Sequence, residues 1–282
     1  MILALETSTE VCSAALMTST GERFEKRAEG RGVHSTYAPL FTHQLLDEQK
    51  ISTDDLEAVL FSGGPGSYTG LRIGASFLKG LLYRSNVPLY TCSTLMCMAA
   101  ATAPTQAAAQ VPTQAAIETR SVTGNATGST TGSTTGSTTG SVTGSIIGSV
   151  NVSAYANVYG LVDARRSHLY CQTFEWKHLR KEWETKEGSK QTLVLNSTSA
   201  PGVKTLKDIQ SSMPPDAFLA GTGLDRLQLP DTIQKLGKAH ISALNLFTLW
   251  EMPNRSERFS RVNIGLFEPE YVTMTQTNHP VT

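Results

Sequence analysis

The stretch Ser62–Gly74, SGGPGSYTGLRIG, decides the fold of this chain. It follows an alternating apolar run, residues 56–61, and precedes an apolar-periodic run, residues 71–83. This change of period predicts that the glycine-rich loop joins a strand to a helix. Ser67 or Thr69 can cap that helix, and the glycines let the backbone approach a neighbour or an anion closely. The loop therefore indicates either a tight turn or a binding site, without the lysine-serine signature of a phosphate loop.

Two stretches on either side of the loop repeat one pattern. Leu3–Met17 and Val158–Phe174 each alternate apolar and polar positions around a polar break. The alternation predicts two hairpins, in which Glu6 and Asp163 occupy matching positions. Strand and helix signals follow each hairpin, as expected of two similar halves that face a cleft. Two such halves are the plan of an α/β fold of the actin-like ATPase (ribonuclease H-like) type.

A segment of low complexity separates the two hairpins. Residues 121–148 are seven consecutive tetrapeptides that end in glycine, in a region dominated by alanine, threonine, serine and glycine. Such a composition buries too little apolar surface to offset the ordering of the chain. We expect residues 101–155 to be a disordered insert in a surface loop, with an adhesive or glycosylated tract as the alternative. The expected domains are residues 1–100, this insert, and residues 156–282.

Composition excludes several classes of protein. The chain has 24 basic and 24 acidic side chains, so it has no excess positive potential to hold transfer RNA strongly by itself. The four cysteines lack a paired metal-ligand spacing and are expected to be buried free thiols: Cys12, Cys92, Cys97 and Cys171. We see no leader and no apolar stretch of membrane-spanning length. These features predict a cytoplasmic protein that does not contact a membrane.

The order of residues in several segments resembles the bacterial TsaB family, whose members support TsaD in making threonylcarbamoyladenosine in transfer RNA. The matching segments are LALETSTEVCSAAL at Leu3–Leu16, GPGSYTGLRIG at Gly64–Gly74, VPLYTCSTLMCMA at Val87–Ala99 and YGLVDARRSHLY at Tyr159–Tyr170. Farther along, only AGTG at Ala220–Gly223 and PEY at Pro269–Tyr271 correspond. Thr273 stands where the family usually carries an arginine.

The resemblance implies an actin-like fold and a non-catalytic subunit that pairs with TsaD and supports threonylcarbamoyl transfer to adenosine 37. It also implies a TsaE homologue as a second partner, contact with transfer RNA only through the complex, and a homodimer when TsaD is absent. No cofactor is expected to bind strongly to the chain alone, and ATP is expected at most in the complex.

Two helices of the first half are the expected contact with the partner. Ser35 is predicted to cap the first helix, with Pro39 in its first turn, and the second helix is predicted over about residues 70–83. The apolar face of the second helix is wider than one stripe, which suits a subunit contact as well as a core. The interface candidates are Leu71, Phe77, Leu81, Tyr37 and Phe41.

The motifs supply little catalytic chemistry. The first hairpin turn, ETSTE, has no glycine, and the second, DARR, places bulky side chains where backbone amides would have to approach phosphates. In the alignment with TsaD, Thr94 and Met98 occupy the places of two histidine metal ligands, and neither replaces an imidazole. We therefore expect no catalytic residue, no metal site and no ATP hydrolysis by the chain alone.

Candidates for shaping the loop or contacting a nucleotide are Glu6, Thr7, Ser67, Tyr68, Thr69, Gly70, Arg72, Asp163 and Arg165. One alternative function is a stand-alone, nucleotide-dependent kinase or acyltransferase of actin-like fold that uses Glu6, Thr7, Asp163 and the AGTG turn. Another is an adhesive or structural protein built around the tetrapeptide tract. Nucleotide-dependent stabilisation would favour the first alternative, and loss of function on removal of the tract would favour the second.

Overall fold

The computed structural model describes residues 1–103, 157–179 and 192–271. In these ranges the chain forms two β-sheets with α-helices packed on their faces, which confirms the predicted α/β class. The insert predicted over residues 101–155 lies outside the described residues except for 101–103, and Thr273 lies outside them as well. None of the helices in the described ranges is long and apolar enough to span a membrane.

The elements follow one another in a similar order before and after the insert. The first group is β1 (Ile2–Glu6), β2 (Val11–Met17), β3 (Arg23–Glu29), α1 (His34–Glu48), β4 (Ala58–Ser62), α2 (Tyr68–Leu81), β5 (Leu89–Cys92) and α3 (Thr94–Ala100). The second group is β6 (Val158–Asp163), β7 (His168–Leu179), β8 (Thr192–Ser197), β9 (Gly202–Thr205), α4 (Leu206–Ser212), β10 (Phe218–Gly221), β11 (Gln234–Leu236), α5 (Leu244–Glu251) and β12 (Ser260–Val262).

The strand order is duplicated. The first sheet runs β12-β5-β4-β1-β2-β3, and the second runs β11-β10-β6-β7-β8, with β9 also pairing with β7. In each sheet an antiparallel hairpin, β1–β2 or β6–β7, is joined by a strand parallel to its first strand, β4 or β10. We call the first sheet with α1 and α2 the first half, and the second sheet with α4 the second half. The predicted architecture of two similar halves is confirmed.

The register of the two hairpins places the two acidic residues alike. Glu6, the last residue of β1, lies opposite Ser13 of β2. Asp163, the last residue of β6, lies opposite Leu169 of β7. Each acidic residue therefore stands at the carboxyl end of the central strand of its sheet, where ligands of open α/β sheets bind. The match that the spacing predicts is confirmed.

Among the described residues, three apolar cores lie between the layers. Leu3 and Leu5 of β1 belong to the core between the first sheet and the helices α1 and α2. Ile2 and Ala4, on the other face of β1, join α3, α5 and residues of the second sheet in a central core. A third core lies on the outer face of the second sheet. Each fully buried leucine stabilises the fold by about 1.5–3 kcal/mol relative to an exposed position.

The start of α1 differs from the prediction. The N-cap is Val33, and no side chain caps it. Ser35, the predicted cap, lies inside the helix, where its hydroxyl donates a hydrogen bond to the carbonyl oxygen of Gly32 at 3.4 Å. Pro39 lies beyond the first turn, because the helix begins at His34. The predictions for Ser35 and Pro39 are wrong because α1 begins at His34, which is earlier in the chain than the capping pattern indicates.

The end of the described chain returns to the first half. The edge strand β12 pairs antiparallel with β5. After it, Ile264, Phe267 and Tyr271 pack against the core beneath α1 and α2. Residues 260–271 therefore complete the first half.

Candidate functional site

The glycine-rich loop joins β4 to α2, as its change of period predicts. Its first residue, Ser62, ends β4, and α2 begins at Tyr68. Ser67 is the N-cap, and its hydroxyl accepts a hydrogen bond from the backbone N–H of Gly70 at 3.2 Å. The predicted cap is thus Ser67 rather than Thr69, which lies in the first turn of the helix. The helix begins and ends slightly earlier than the predicted span.

The glycines of this loop make room for the backbone of the first hairpin turn. A Cβ atom at Gly66 would lie 2.4 Å from the carbonyl oxygen of Ser8, and one at Gly70 would lie 2.2 Å from that of Thr7. Cβ atoms essentially never approach another atom within 3.0 Å. The backbone N–H of Ser67 also donates to the carbonyl oxygen of Ser8 at 2.6 Å. The sequence leaves open whether this loop is a tight turn or a binding site. Gly66 and Gly70 serve the tight turn, because they let the loop pack closely on the first hairpin.

The other side of the loop is anchored to α3. Thr94 donates its backbone N–H to the carbonyl oxygen of Gly64 at 2.8 Å, and its hydroxyl accepts from the N–H of Gly64 at 3.2 Å. Thr94 and Met98 are both buried. In the part of the chain that the structure describes, no cluster of three His, Cys, Asp or Glu side chains is placed to hold a metal ion. Thr94 therefore serves as an anchor for the loop.

Glu6 lies beneath the loop and is only 1% exposed. Its carboxylate accepts hydrogen bonds from the backbone N–H and the hydroxyl of Ser8. Burial raises the pKa of Glu6 above its usual value, although the hydrogen bonds that it accepts oppose this shift. Thr7 is also fully buried, with its hydroxyl against Gly74 of α2. Neither Glu6 nor Thr7 lines the cleft between the halves, so neither is placed to contact a ligand there.

The cysteines are free and buried, as predicted. Burial raises the pKa of Cys12 to about 12 and that of Cys171 to about 11. Burial also raises the pKa of Cys97. Because the thiolate is the nucleophilic form, these three thiols stay protonated and unreactive at neutral pH.

A cleft of about 290 Å³ lies between the halves, where the turns of the two hairpins face each other. It brings together Ser67, Asp163 and Arg165 from the predicted set. Thr222 and Gly223, from the AGTG turn after β10, also line it. The cleft is therefore the place where predicted residues from both halves meet.

Further residues line the cleft, and those of the second half carry no signal in the sequence. Ser8, Thr9 and Glu10 line it from the first half, and Arg226 and Lys238 line it from the second. Ser8 and Thr9 belong to the ETSTE turn, whose hydroxyls the sequence does show. The charged residues of the second half lie where the resemblance to the family is thin, so only the folded chain shows their place.

Ion pairs neutralise most of the charge in the cleft. Lys238 Nζ lies 2.6 Å from Glu10 Oε2 across the cleft, and Arg226 NH1 lies 2.5 Å from Asp163 Oδ1. The hydrogen bond from Lys238 lowers the pKa of Glu10, and the same bond raises the pKa of Lys238. Since both members of the Lys238–Glu10 pair are largely exposed, the pair contributes at most about 1 kcal/mol to stability.

The turn of the second hairpin has an unusual backbone. Arg165 and Arg166 have φ angles of 70° and 52°, in the left-handed region that residues other than glycine rarely adopt. The backbone N–H of Arg165 donates to Asp163 Oδ1 at 2.7 Å, which holds the turn. The arginines thus take the backbone conformation that the small residues expected here would adopt, and the exposed Arg165 lines the cleft.

The expected partner face of α1 and α2 divides into two sets. Leu71 and Phe41 are buried in the core of this chain. Tyr37, Phe77 and Leu81 are partly exposed at the border of the same core. Of the five candidates, only these three therefore present side chains at the surface, because Leu71 and Phe41 are enclosed in the core.

The first turn of α2 carries an aromatic surface. Tyr68 is 52% exposed, and the guanidinium of Arg72 lies 4.1 Å from the centre of its ring. The ring of Tyr271 lies on Tyr68 with 5.1 Å between ring centres. Thr69 and Arg72 are exposed, whereas Gly70 is buried. Tyr68, Thr69 and Arg72 therefore present side chains to solvent outside the cleft.

The duplicated sheets, the helices between them and the cleft define an actin-like, ribonuclease H-like fold. The solved structure of YeaZ from Pseudomonas aeruginosa has the same fold: it superposes with a TM-score of 0.60 and 21% sequence identity, covering 96% of this chain and 99% of that chain. This similarity concerns the fold, since the sequence identity is low.

Sequence comparisons identify relatives over part of the chain. A sequence model of the family described as "TsaD: tRNA N6-adenosine threonylcarbamoyltransferase" matches residues 31–122. The tRNA threonylcarbamoyladenosine biosynthesis protein TsaB of Haemophilus influenzae is 34% identical over 100 residues, which are 36% of this chain and 42% of that protein. TsaB of Escherichia coli (strain K12) is 35% identical over 100 residues, 35% of this chain and 42% of that protein. The match thus covers less than half the length of each of these relatives. The resemblance to the TsaB family is confirmed.

Proposed function

We propose that this chain is a non-catalytic subunit that pairs with a TsaD homologue and supports threonylcarbamoyl transfer to adenosine 37 of transfer RNA. The observation that carries the proposal is the 34–35% identity to proteins named for tRNA threonylcarbamoyladenosine biosynthesis. The fold shared with YeaZ over nearly the whole chain supports it.

The site supports a supporting role rather than a catalytic one. Gly66 and Gly70 of the loop serve close packing on the first hairpin turn, so they are not free to bring the backbone close to a phosphate. Glu6, the carboxylate in the position suited to hold a metal and water, is buried and hydrogen-bonded to Ser8. Thr94 is used to hold the loop. The residues that would carry chemistry instead stabilise the fold.

The proposed assembly has further members. The partly exposed Tyr37, Phe77 and Leu81 form the proposed contact with TsaD, and the same face forms a homodimer when TsaD is absent. A TsaE homologue is the second partner, transfer RNA is reached only through the complex, and ATP belongs to the complex rather than to this chain. The proposed compartment is the cytoplasm.

Reconstitution tests this proposal. A purified mixture of TsaD, TsaE, ATP, transfer RNA and a source of threonylcarbamoyl adenylate is assayed for modified adenosine with and without this chain, at constant TsaD. We expect turnover only when the chain is present. The proposal is refuted if the chain neither changes turnover nor co-elutes with TsaD.

A matched pair of variants assigns the contact face. Phe77→Asp places a charge on the α2 face and should abolish co-elution with TsaD and turnover together, because a buried unpaired charge is costly. Leu266→Asp is the control, since Leu266 is 81% exposed and lies outside both helices. If both variants pair with TsaD as well as the wild-type chain does, the proposed face is wrong even when the subunit role holds.

The stand-alone nucleotide enzyme is distinguished in the same preparation. That alternative requires ATP to raise the melting temperature of the isolated chain, because a ligand that binds only the folded state stabilises it. The inward-facing Glu6 and Thr7 do not favour it. Turnover by the chain without TsaD would replace the proposed function with this one.

A further inference from the structure

The four cysteines are not equally enclosed. Cys92, the last residue of β5, is 4% exposed, whereas the other three are at most 1% exposed. Its thiol makes only a weak hydrogen bond, to the carbonyl oxygen of Ser93 at 3.7 Å. A small oxidant has to reach the sulfur atom before it can react with it. Cys92 is therefore the cysteine of this chain that is most open to such a reagent.

A buried guanidinium lies beside Cys92. Arg258, just before β12, is only 7% exposed. Its Nε and one of its terminal nitrogens are enclosed and have no hydrogen-bond partner in the part of the chain that the structure describes. Burial lowers the pKa of Arg258, and the groups that oppose this shift are Glu257 and Cys92. Because a guanidinium stays charged in proteins, an incompletely satisfied cation faces the thiol of Cys92.

A second thiol is hydrogen-bonded to that of Cys92. Burial, and after it this hydrogen bond, raises the pKa of Cys97 in α3. Cys97 therefore keeps its proton and donates it to the sulfur of Cys92. A sulfur that accepts a hydrogen bond and faces a cation is stabilised as the thiolate, which is the nucleophilic form of cysteine. Arg258 and Cys97 supply these two interactions from different parts of the chain.

We propose that Cys92 is a site of oxidation by hydrogen peroxide, with Arg258 and Cys97 as the residues that stabilise its thiolate. The sulfur attacks one peroxide oxygen, so that an S–O bond forms as the O–O bond breaks. The other oxygen leaves as hydroxide and takes up a proton to become water. Sulfur loses two electrons, which the peroxide gains, and the product is a sulfenic acid. The proposal does not rest on pairing with TsaD, since the whole site belongs to this chain.

Oxidation of Cys92 acts on the glycine-rich loop. The carbonyl oxygen of Cys92 accepts the N–H of Gly63 at 2.8 Å, and Thr94, two residues farther on, holds Gly64. The side chain of Cys92 belongs to the central core, so an added oxygen atom overpacks the place where the loop is held. Peroxide should therefore lower the melting temperature of the chain, and dithiothreitol should restore it, because a sulfenic acid is reduced by thiols.

The four cysteines of the whole folded chain compete in one reaction. The chain is treated with hydrogen peroxide in the presence of dimedone, which traps sulfenic acids, and peptide mass spectrometry follows each cysteine. We expect Cys92 to react at least about tenfold faster than each of the others. A disulfide between Cys92 and Cys97 starts from the same sulfenic acid and is counted with the adduct. Equal rates at the four cysteines, or a faster reaction at another one, overturn the proposal.

Two methionine variants isolate the guanidinium. Arg258→Met replaces a buried charge by an apolar side chain of similar length, a change that is often neutral or stabilising, so the variant is expected to fold. It should slow the oxidation of Cys92 about tenfold or more. Arg261→Met is the control, because Arg261 is exposed in β12, and it should stay within about twofold of the wild-type chain. Equal rates in the two variants refute the role of Arg258.

A pair of alanine variants tests the site without any change at Arg258. Cys92→Ala should remove both the fast adduct and the loss of melting temperature that peroxide causes. Cys171→Ala is the matched control, since it removes a free buried thiol of the second half and should keep both effects. If peroxide destabilises Cys92→Ala as much as the wild-type chain, the reactive thiol is another one and the assignment to Cys92 is wrong.

Discussion

Replacing Gly70 by alanine tests how closely the loop packs on the first hairpin turn. In an open helix, alanine is more stable than glycine by about 0.8–1 kcal/mol. At Gly70, however, the added Cβ lies 2.2 Å from the carbonyl oxygen of Thr7, a backbone atom that cannot rotate away. Overpacking typically costs about 1–3 kcal/mol, and contact with backbone places this case at the upper end. The difference is a loss of about 2 kcal/mol in the free energy of unfolding.

Gly80→Ala is the matched control. Gly80 lies in the same helix, and a Cβ added there has no neighbour within 4 Å. This variant should gain up to about 1 kcal/mol, so the two variants should differ by about 3 kcal/mol in opposite directions from the wild-type chain. Urea unfolding followed by circular dichroism measures both. If Gly70→Ala is as stable as the wild-type chain, the loop does not pack on Thr7 as described, and the reasoning is refuted.

Other changes test the buried polar groups. Trp176→Phe removes the 2.9 Å hydrogen bond from the indole N–H to the hydroxyl of Thr102 and should lower the free energy of unfolding by about 1 kcal/mol, measured by urea unfolding; Thr102→Val should remove the same bond, so that the double variant is less destabilised than the sum of the two. Ser67→Ala removes the cap of α2 and should cost about 1 kcal/mol in the same assay, and an unchanged midpoint would contradict the capping role. Burial raises the pKa of Glu6 in the folded chain, so the folded state holds this proton more tightly than the unfolded state does. The contribution of Glu6 is full below the unfolded pKa of about 4.3 and is lost as pH rises through the folded pKa. Glu6→Gln removes this dependence, and a stability difference from the wild-type chain that stays constant with pH would contradict the burial of the carboxylate.

Local patterns predicted the elements whose causes are local. The alternation around Glu6 and Asp163 predicts the hairpins correctly, because successive side chains of a strand point to opposite faces of the sheet and adjacent residues show this period. The cap at Ser67 is also predicted correctly, because a capping side chain bonds to the backbone only a few residues away in the chain. The start of α1 was missed because Val33 supplies no capping side chain, so the sequence contains no signal at the place where the helix begins.

The candidate site was only partly predictable because its residues meet through the tertiary fold. Glu6 has the chemistry of a cleft residue, but the glycine loop covers it, and this depends on how β4 and α2 are placed. Lys238 and Glu10 are separated by 228 residues in the chain, and nothing around either residue indicates the other. The sequence makes Arg165 a turn residue and a candidate contact, but its left-handed backbone and its place on the cleft are visible only in the folded chain.

The edge strand β12 has a consequence for how the protein is made. Domains generally fold as units during synthesis, beginning with the N-terminal one. Here β5 is complete long before β12, at residues 260–262, leaves the ribosome, so one flank of the first sheet waits with unpaired N–H and C=O groups. An open edge of this kind is a template for pairing with another strand. The nascent chain therefore depends on its own late residues to shield an early sheet, and newly made molecules are most prone to aggregate in the interval between the two.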